Sequence, residues 1–231
     1  MNVNIWSDVR CPFCYIGKVK FEKALEKFPH KNDVEVIWKS FQLDPLLKTE
    51  KDINIYDYFS AIKGIPRNQA MEMFENVTQI AKEVGLDFNL DQSVLANSFN
   101  AHRLIQFAKT KGLGNKMEEE LFRMHFIQGK NIDDLETLVA SGTAIGLDET
   151  KTREVLLSKV YSEDVKEDEL RAKAIGVRGV PFFVFNDKYA VSGAQSPEAF
   201  LQVLEQSWEE FEKEKPLITL TGESCSINGN C

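Results

Sequence analysis

Strand-like sequence in this 231-residue chain is confined to its two ends, with a long helical block between them. Val3 to Val9 begins as a strand, with Val3 and Ile5 alternating against Asn4 and Trp6. The spacing predicts a helix from Cys14 to Phe28, then a second strand over Val34 to Leu43, rich in β-branched and aromatic residues. A strand, a helix and a strand within so short a span form a right-handed crossover with the strands parallel. Strand character returns at Phe182-Phe183-Val184-Phe185 and, past Asn186-Asp187, at Tyr189-Ala190-Val191, a hairpin pattern. Ser196-Pro197 then opens a last helix with an apolar stripe of Leu201, Leu204, Trp208 and Phe211. The order is β-α-β, helices, α-β-β-α. Such a chain is expected to build one α/β sheet from its two ends and to carry the middle as an insertion over the sheet's active edge.

The inserted block is predicted to hold a helix with Pro66 at its first position and Gly85 at its end. Further helices are expected over Ser93–Lys111, Gly114–Gln128, Asp133–Ile145, Glu149–Ser158 and Asp164–Ile175, punctuated by Gly112, Gly129, Gly146 and Gly176. The domain boundaries that follow are 1–44 with 176–215 for the sheet domain and 45–175 for the helical insertion. Residues 216–231, rich in Thr, Gly, Ser and Asn, are expected to form an irregular tail holding two cysteines.

Apolar residues at 43% and charged residues at 28% describe an ordinary globular chain. Its 36 acidic against 28 basic residues, with no basic cluster, argue against a nucleic-acid partner. No apolar stretch predicts a membrane span, and Met1 to Val9 lacks the charged and apolar regions of a leader. The expectation is a cytoplasmic protein, in which a structural disulfide scaffold is disfavoured.

Cysteine usage then points to redox chemistry. Cys11-Pro12-Phe13-Cys14 follows a strand and opens a helix. A sulfur at a helix start lies near free N–H groups and the positive end of the helix dipole, which stabilises a thiolate. Cys11 is expected to be the exposed, reactive sulfur, with Cys14, one turn inside, resolving the mixed disulfide. A zinc site would need four ligands, and the other pair, Cys225 and Cys231, has a different spacing at the far end of the chain. No metal site is expected. Cys225 and Cys231 are either a second redox pair that exchanges with the first or adventitious thiols. His30 is expected to be solvated, and His102 and His125 to sit in helices with no assigned role.

Ser7-Asp8-Val9-Arg10-Cys11-Pro12-Phe13-Cys14-Tyr15-Ile16-Gly17 and Gly176-Val177-Arg178-Gly179-Val180-Pro181-Phe182-Phe183-Val184-Phe185 together resemble the DsbA superfamily of thiol–disulfide oxidoreductases. Phe99-Asn100-Ala101-His102-Arg103-Leu104 and Gly129-Lys130-Asn131-Ile132 resemble its FrnE-like branch. The resemblance runs to about Phe211 and implies a thioredoxin-like mixed sheet with an inserted helical domain. It implies a cis Val180–Pro181 peptide facing the cysteines, with Pro12, Phe13, Val180 and Pro181 contacting substrate. It also implies a thiol- or disulfide-containing protein or small molecule as partner and no bound cofactor, with glutathione as a candidate redox partner. Some members carry an acidic residue four positions after the second cysteine, where this chain has Lys18. Asp8 is then a candidate proton acceptor for Cys14, the alternative being a solvated loop carboxylate.

Two other functions fit the same architecture. Kappa-class glutathione transferases and hydroxychromene-carboxylate isomerases share it, but typically have serine where Cys11 stands. The helical block could also serve a non-enzymatic zinc-binding or chaperone-like protein.

Overall fold

The computed structural model describes residues 1–214. Its sheet holds β1 (Asn2–Ser7), β2 (Glu35–Ser40), β3 (Phe182–Phe185) and β4 (Tyr189–Ser192) in the order β2-β1-β3-β4. β1 runs parallel to β2 and antiparallel to β3, and β3 and β4 form a hairpin. Asn186 and Asp187 make its tight turn with φ of 49° and 57°, the left-handed pair that a two-residue hairpin requires. The helix α1 (Pro12–Lys27) joins β1 to β2, and α9 (Pro197–Glu214) follows the hairpin. Between β2 and β3 lie α2 (Ile55–Lys63), α3 (Arg67–Glu83), α4 (Phe99–Lys109), α5 (Gly114–Phe122), α6 (Leu135–Ala144), α7 (Glu149–Leu157) and α8 (Ser162–Ala174). The fold is a thioredoxin-like mixed sheet with a helical insertion.

Side chains alternate across a strand, so each face of the sheet has its own core. Val3, Ile5, Phe183 and Phe185 face α1 and α9, where Phe21 meets the rings of Phe183, Phe185 and Phe200. Trp6 and Val184 lie on the other face with Ala172 and Val177 at the end of α8.

Several boundaries differ from the pattern in the sequence, two of them where polar groups capture the backbone. β2 stops at Ser40 rather than Leu43, because the Gln42 and Leu43 amides bond the carboxylates of Glu169 and Asp8. α4 starts at Phe99 rather than Ser93. Leu95 instead bridges to Glu50, and the Asn97 side chain accepts from the Phe99 amide. Pro66 is the N-cap of α3 and not its first helical residue. α5 is α-helical only to Phe122, and residues Arg123–Ile127 widen into a π-helical turn.

Asp168 on α8 ties the insertion to the sheet. Its buried carboxylate accepts from the Ser40 amide at 3.0 Å and Gln106 Nε2 at 2.7 Å, and pairs with Lys39 at 2.9 Å. Its carbonyl accepts from Trp6 Nε1 at 2.9 Å. Removing the carboxylate leaves a buried amide and a half-buried lysine without partners, a loss on the order of 3 kcal/mol. We expect Asp168→Ala to lower the midpoint of thermal unfolding by roughly 6–12 °C, measured by circular dichroism; a shift under about 2 °C would show that this anchor does not matter.

Candidate active site

β1 ends at Ser7, and the turn that follows is fixed by its own polar atoms. The Cys11 amide donates to the Asp8 carbonyl at 2.9 Å and the Arg10 amide to Asp8 Oδ1 at 3.1 Å. Cys11 becomes the N-cap of α1, with extended backbone (φ −92°, ψ 112°) and Pro12 at the first helical position, where no N–H is needed. Cys14 sits one turn in, its amide bonded to the Cys11 carbonyl at 2.9 Å. Both cysteines are free thiols.

The late motif arrives beside them. The Val180–Pro181 peptide is cis. The Cys11 thiol donates to the Val180 carbonyl at 3.5 Å, and the Pro181 carbonyl is held by the Gly193 amide at 2.9 Å. Thus Cys11, Cys14, Val180 and Pro181 meet at one end of the sheet. Phe13 projects outward at 39% exposure, and Pro12 is half-buried. Cys225 and Cys231 lie outside the described residues.

Cys11 is not exposed as expected: it is 6% exposed, against 0% for Cys14. The Val180–Pro181 segment lies across its sulfur and takes the space that an open helix start would leave to water. The difference in burial persists in a narrower form. Cys14 has its pKa pushed well above the ordinary thiol value, first by burial and then by the neighbouring Cys11 sulfur. The Asp8 backbone and the Ser7 hydroxyl act in the other direction.

Beneath the cysteines lies a buried polar cluster that sequence reasoning largely missed. Asp8 is fully buried, which removes its reading as a solvated loop carboxylate. Its Oδ2 accepts from the Leu43 amide at 2.8 Å, and His102 Nε2 stands 3.6 Å from Oδ1, beyond hydrogen-bond length but close enough for charge to act. Burial works to raise the Asp8 pKa, yet His102 and the two amides overcome it and hold the carboxyl below its usual range. His102, for which burial alone would lower the pKa, is carried above its ordinary value by Asp8. A carboxylate held so low is a poor base for a thiol.

Glu118 is a better one. It is 1% exposed, and its Oε1 accepts from Ser7 Oγ at 2.6 Å. Burial raises its pKa to about 7, against the opposing pull of Ser7, His102 and Lys18. The Ser7 hydroxyl also acts to lower the Cys14 pKa, so one hydroxyl influences both groups. The signal for Glu118 was in the sequence. Gly114, Met117, Leu121 and Phe122 form the buried stripe of α5, and Glu118 is the one charged residue on it.

Lys18, in contrast, is spent structurally: nearly fully buried, it pairs with Glu22 at 2.8 Å and Glu119 at 2.6 Å. His30 is half-buried and stacks on Trp208 with ring centroids 4.4 Å apart, so it is not simply solvated. Among the described residues no three His, Cys, Asp or Glu side chains gather as a metal site requires. Nor is any described helix long and apolar enough to cross a membrane.

Comparison with known proteins agrees with this geometry. The chain resembles a probable DsbA oxidoreductase from Streptomyces coelicolor, with 37% identity, a TM-score of 0.86, and coverage of 100% of this chain and 98% of that one. It is 25% identical to the uncharacterised protein YwbO of Bacillus subtilis over 207 residues, 87% of this chain and 94% of that protein. It shares the fold of the cytosolic disulfide reductase DsbM from Pseudomonas aeruginosa at 15% identity and a TM-score of 0.66, over 91% of this chain and 100% of that one. The model of the DSBA-like thioredoxin domain matches residues 2–205. With two cysteines at a helix start set against a cis proline on this sheet, and a match over most of its length, the chain belongs to the DSBA-like thioredoxin domain family.

Proposed function

We propose that the protein is a thiol–disulfide oxidoreductase of the FrnE-like branch, in which Cys11 attacks and Cys14 resolves. The observation that carries this reading is the pairing of an N-cap cysteine with a second, more buried thiol one turn inside the same helix. Cys11 thiolate attacks a substrate disulfide, one substrate thiolate leaves, and a mixed disulfide forms. Cys14 then attacks the Cys11 sulfur, the second substrate thiolate leaves, and the Cys11–Cys14 pair is left oxidised. An extended substrate would lie along the Val180–Pro181 segment, with Pro12 and Phe13 beside it. Substrates are thiol- or disulfide-containing proteins or small molecules, and glutathione is a suitable reductant for the oxidised pair in a cytoplasmic setting. The structure of DsbM with GSH, a protein of the same fold, supports a small thiol in that role. The isomerase reading has less support, because both cysteines are present.

For the resolving step, Glu118 acts through Ser7. The Ser7 oxygen takes the Cys14 proton while passing its own proton to Glu118, which produces the thiolate that attacks Cys11.

Catalysed reduction of insulin by dithiothreitol tests the assignment. Cys11→Ser should abolish it, while Cys14→Ser should stop turnover and accumulate mixed disulfides on Cys11. Full activity in Cys11→Ser would end the proposal.

The proton route has its own pH signature. Glu118 can accept a proton only when ionised, so the resolving rate should fall as pH drops through about 7. Glu118→Gln should lose that inflection and slow the step by about tenfold or more at pH 8; an unchanged profile would exclude Glu118. Stability changes separately. The folded state holds this proton more tightly than the unfolded chain, so the Glu118 contribution is lost as pH rises from about 4.5 to about 7. Relative to Glu118→Gln, the wild type should therefore lose up to roughly 3 kcal/mol across that window.

Cys225 and Cys231 we assign to a second redox pair that exchanges with the first. In Cys14→Ser under mild oxidation, peptide mapping should find Cys11 linked to one of them within a single chain. If only intermolecular or glutathione adducts form, the tail thiols take no part.

A further inference from the structure

A cavity of about 500 Å³ opens beside Pro12 and Phe13, against α2 and α3. Phe59, Phe74, Val77 and Phe126 give it an aromatic and aliphatic wall. Sites of this size that hold small molecules are mostly apolar, with a few polar groups fixing orientation. Three such groups are present. Arg10 Nη1, Ser93 Oγ and His125 Nδ1 are buried, have no hydrogen-bond partner among the described residues, and belong to side chains that line the cavity.

The charged side chains on this wall are Arg10, Lys63 and Asp44, which leaves the cations in excess. His125 is 5% exposed, and burial, with the nearby Arg10 charge, pushes its pKa down to about 4, so it is neutral at pH 7. Asp44, also on the wall, already accepts from the Leu46 amide. A buried guanidinium nitrogen without an acceptor is costly, and its geometry suits a carboxylate. Arg10 directly precedes Cys11, and Pro12 and Phe13 also line the cavity, so the cavity borders the cysteine turn on both sides of Cys11.

We propose that this cavity binds a small thiol or disulfide with an apolar or aromatic body and a carboxylate, the carboxylate on Arg10 and the sulfur towards Cys11. The proposal rests on the thiol–disulfide reading above and names its substrate class. With a disulfide of this class, Cys11 thiolate displaces one half as a thiolate. Cys14 thiolate then displaces the other, so the substrate gains two electrons and the Cys11–Cys14 pair is oxidised. An added dithiol resets the pair.

The test uses the full chain with Cys225→Ser and Cys231→Ser, so that only the active pair reacts. The probes are 5,5′-dithiobis(2-nitrobenzoate), an aromatic disulfide with carboxylates, and the neutral 4,4′-dithiodipyridine. Oxidation of the reduced pair by the first should saturate with concentration. Arg10→Gln should lower the preference for the carboxylate probe over the neutral one by at least about tenfold, through a higher half-saturation concentration, and Arg10→Lys should restore part of it. Competition on the chain with native Arg10 covers the case of a poorly folded variant: 3-phenylpropionate should slow the reaction at concentrations where its amide does not. An unchanged preference in Arg10→Gln, or equal competition by acid and amide, overturns the proposal. If the neutral probe still closes the Cys11–Cys14 disulfide in that case, the redox reading survives without it. If neither probe closes the disulfide, both fall.

Discussion

The active end of this molecule depends on how closely α1 approaches the Val180–Pro181 segment. A side chain at Gly17 would place its Cβ 2.9 Å from Pro181 Cγ, closer than packed atoms tolerate. The bare glycine lets the proline settle against the helix one turn beyond Cys14. From that contact follow the 3.5 Å approach of the Cys11 thiol to the Val180 carbonyl and the burial of both sulfurs. A bulkier helix face would push the segment outward, and the pair would become an ordinary solvent-facing dithiol.

Beneath this contact, polar groups are buried where an apolar core would be simpler. Ser7, Asp8, His102, Glu118 and Asp168 lie inside, yet each bonds or pairs across elements distant in sequence. A charge removed from water is tolerated only with such partners. The sheet and the helical insertion are thereby locked in one register, because sliding either would strand several charges at once. The same enclosure divides the carboxylates by environment. Asp8, surrounded by donors, stays ionised, while Glu118, with Ser7 as its hydrogen-bonding donor, titrates near neutrality.

Much of the fold was legible because its signals are local. The alternation at Val3 and Ile5, the turn pair Asn186-Asp187 and the Ser196-Pro197 helix start all act within a few residues, and all appear where the pattern put them. Errors fell where a distant group decides. No window around Leu43 shows that Asp8 takes its amide, and none around Ser93 shows the Leu95–Glu50 bridge. The cysteine turn was readable for the same local reason. Its surroundings were not, since the cover over Cys11 and the partner of Glu118 come from segments more than a hundred residues away.

The strand order also constrains how the chain can be assembled. β1 is interior to the sheet, yet its two neighbours are unequal in time: Glu35 to Ser40 on one side, and Phe182 to Phe185, about 180 residues downstream of Val3, on the other. At ribosomal rates of roughly 5–20 residues per second, one edge of β1 waits on the order of ten seconds for its partner to be made. During that interval a nascent β-α-β unit with apolar Val3, Ile5 and Trp6 offers an open edge to any passing strand. The sheet is therefore completed only when nearly the whole chain has been made, and the strand at its centre is among the first segments synthesised.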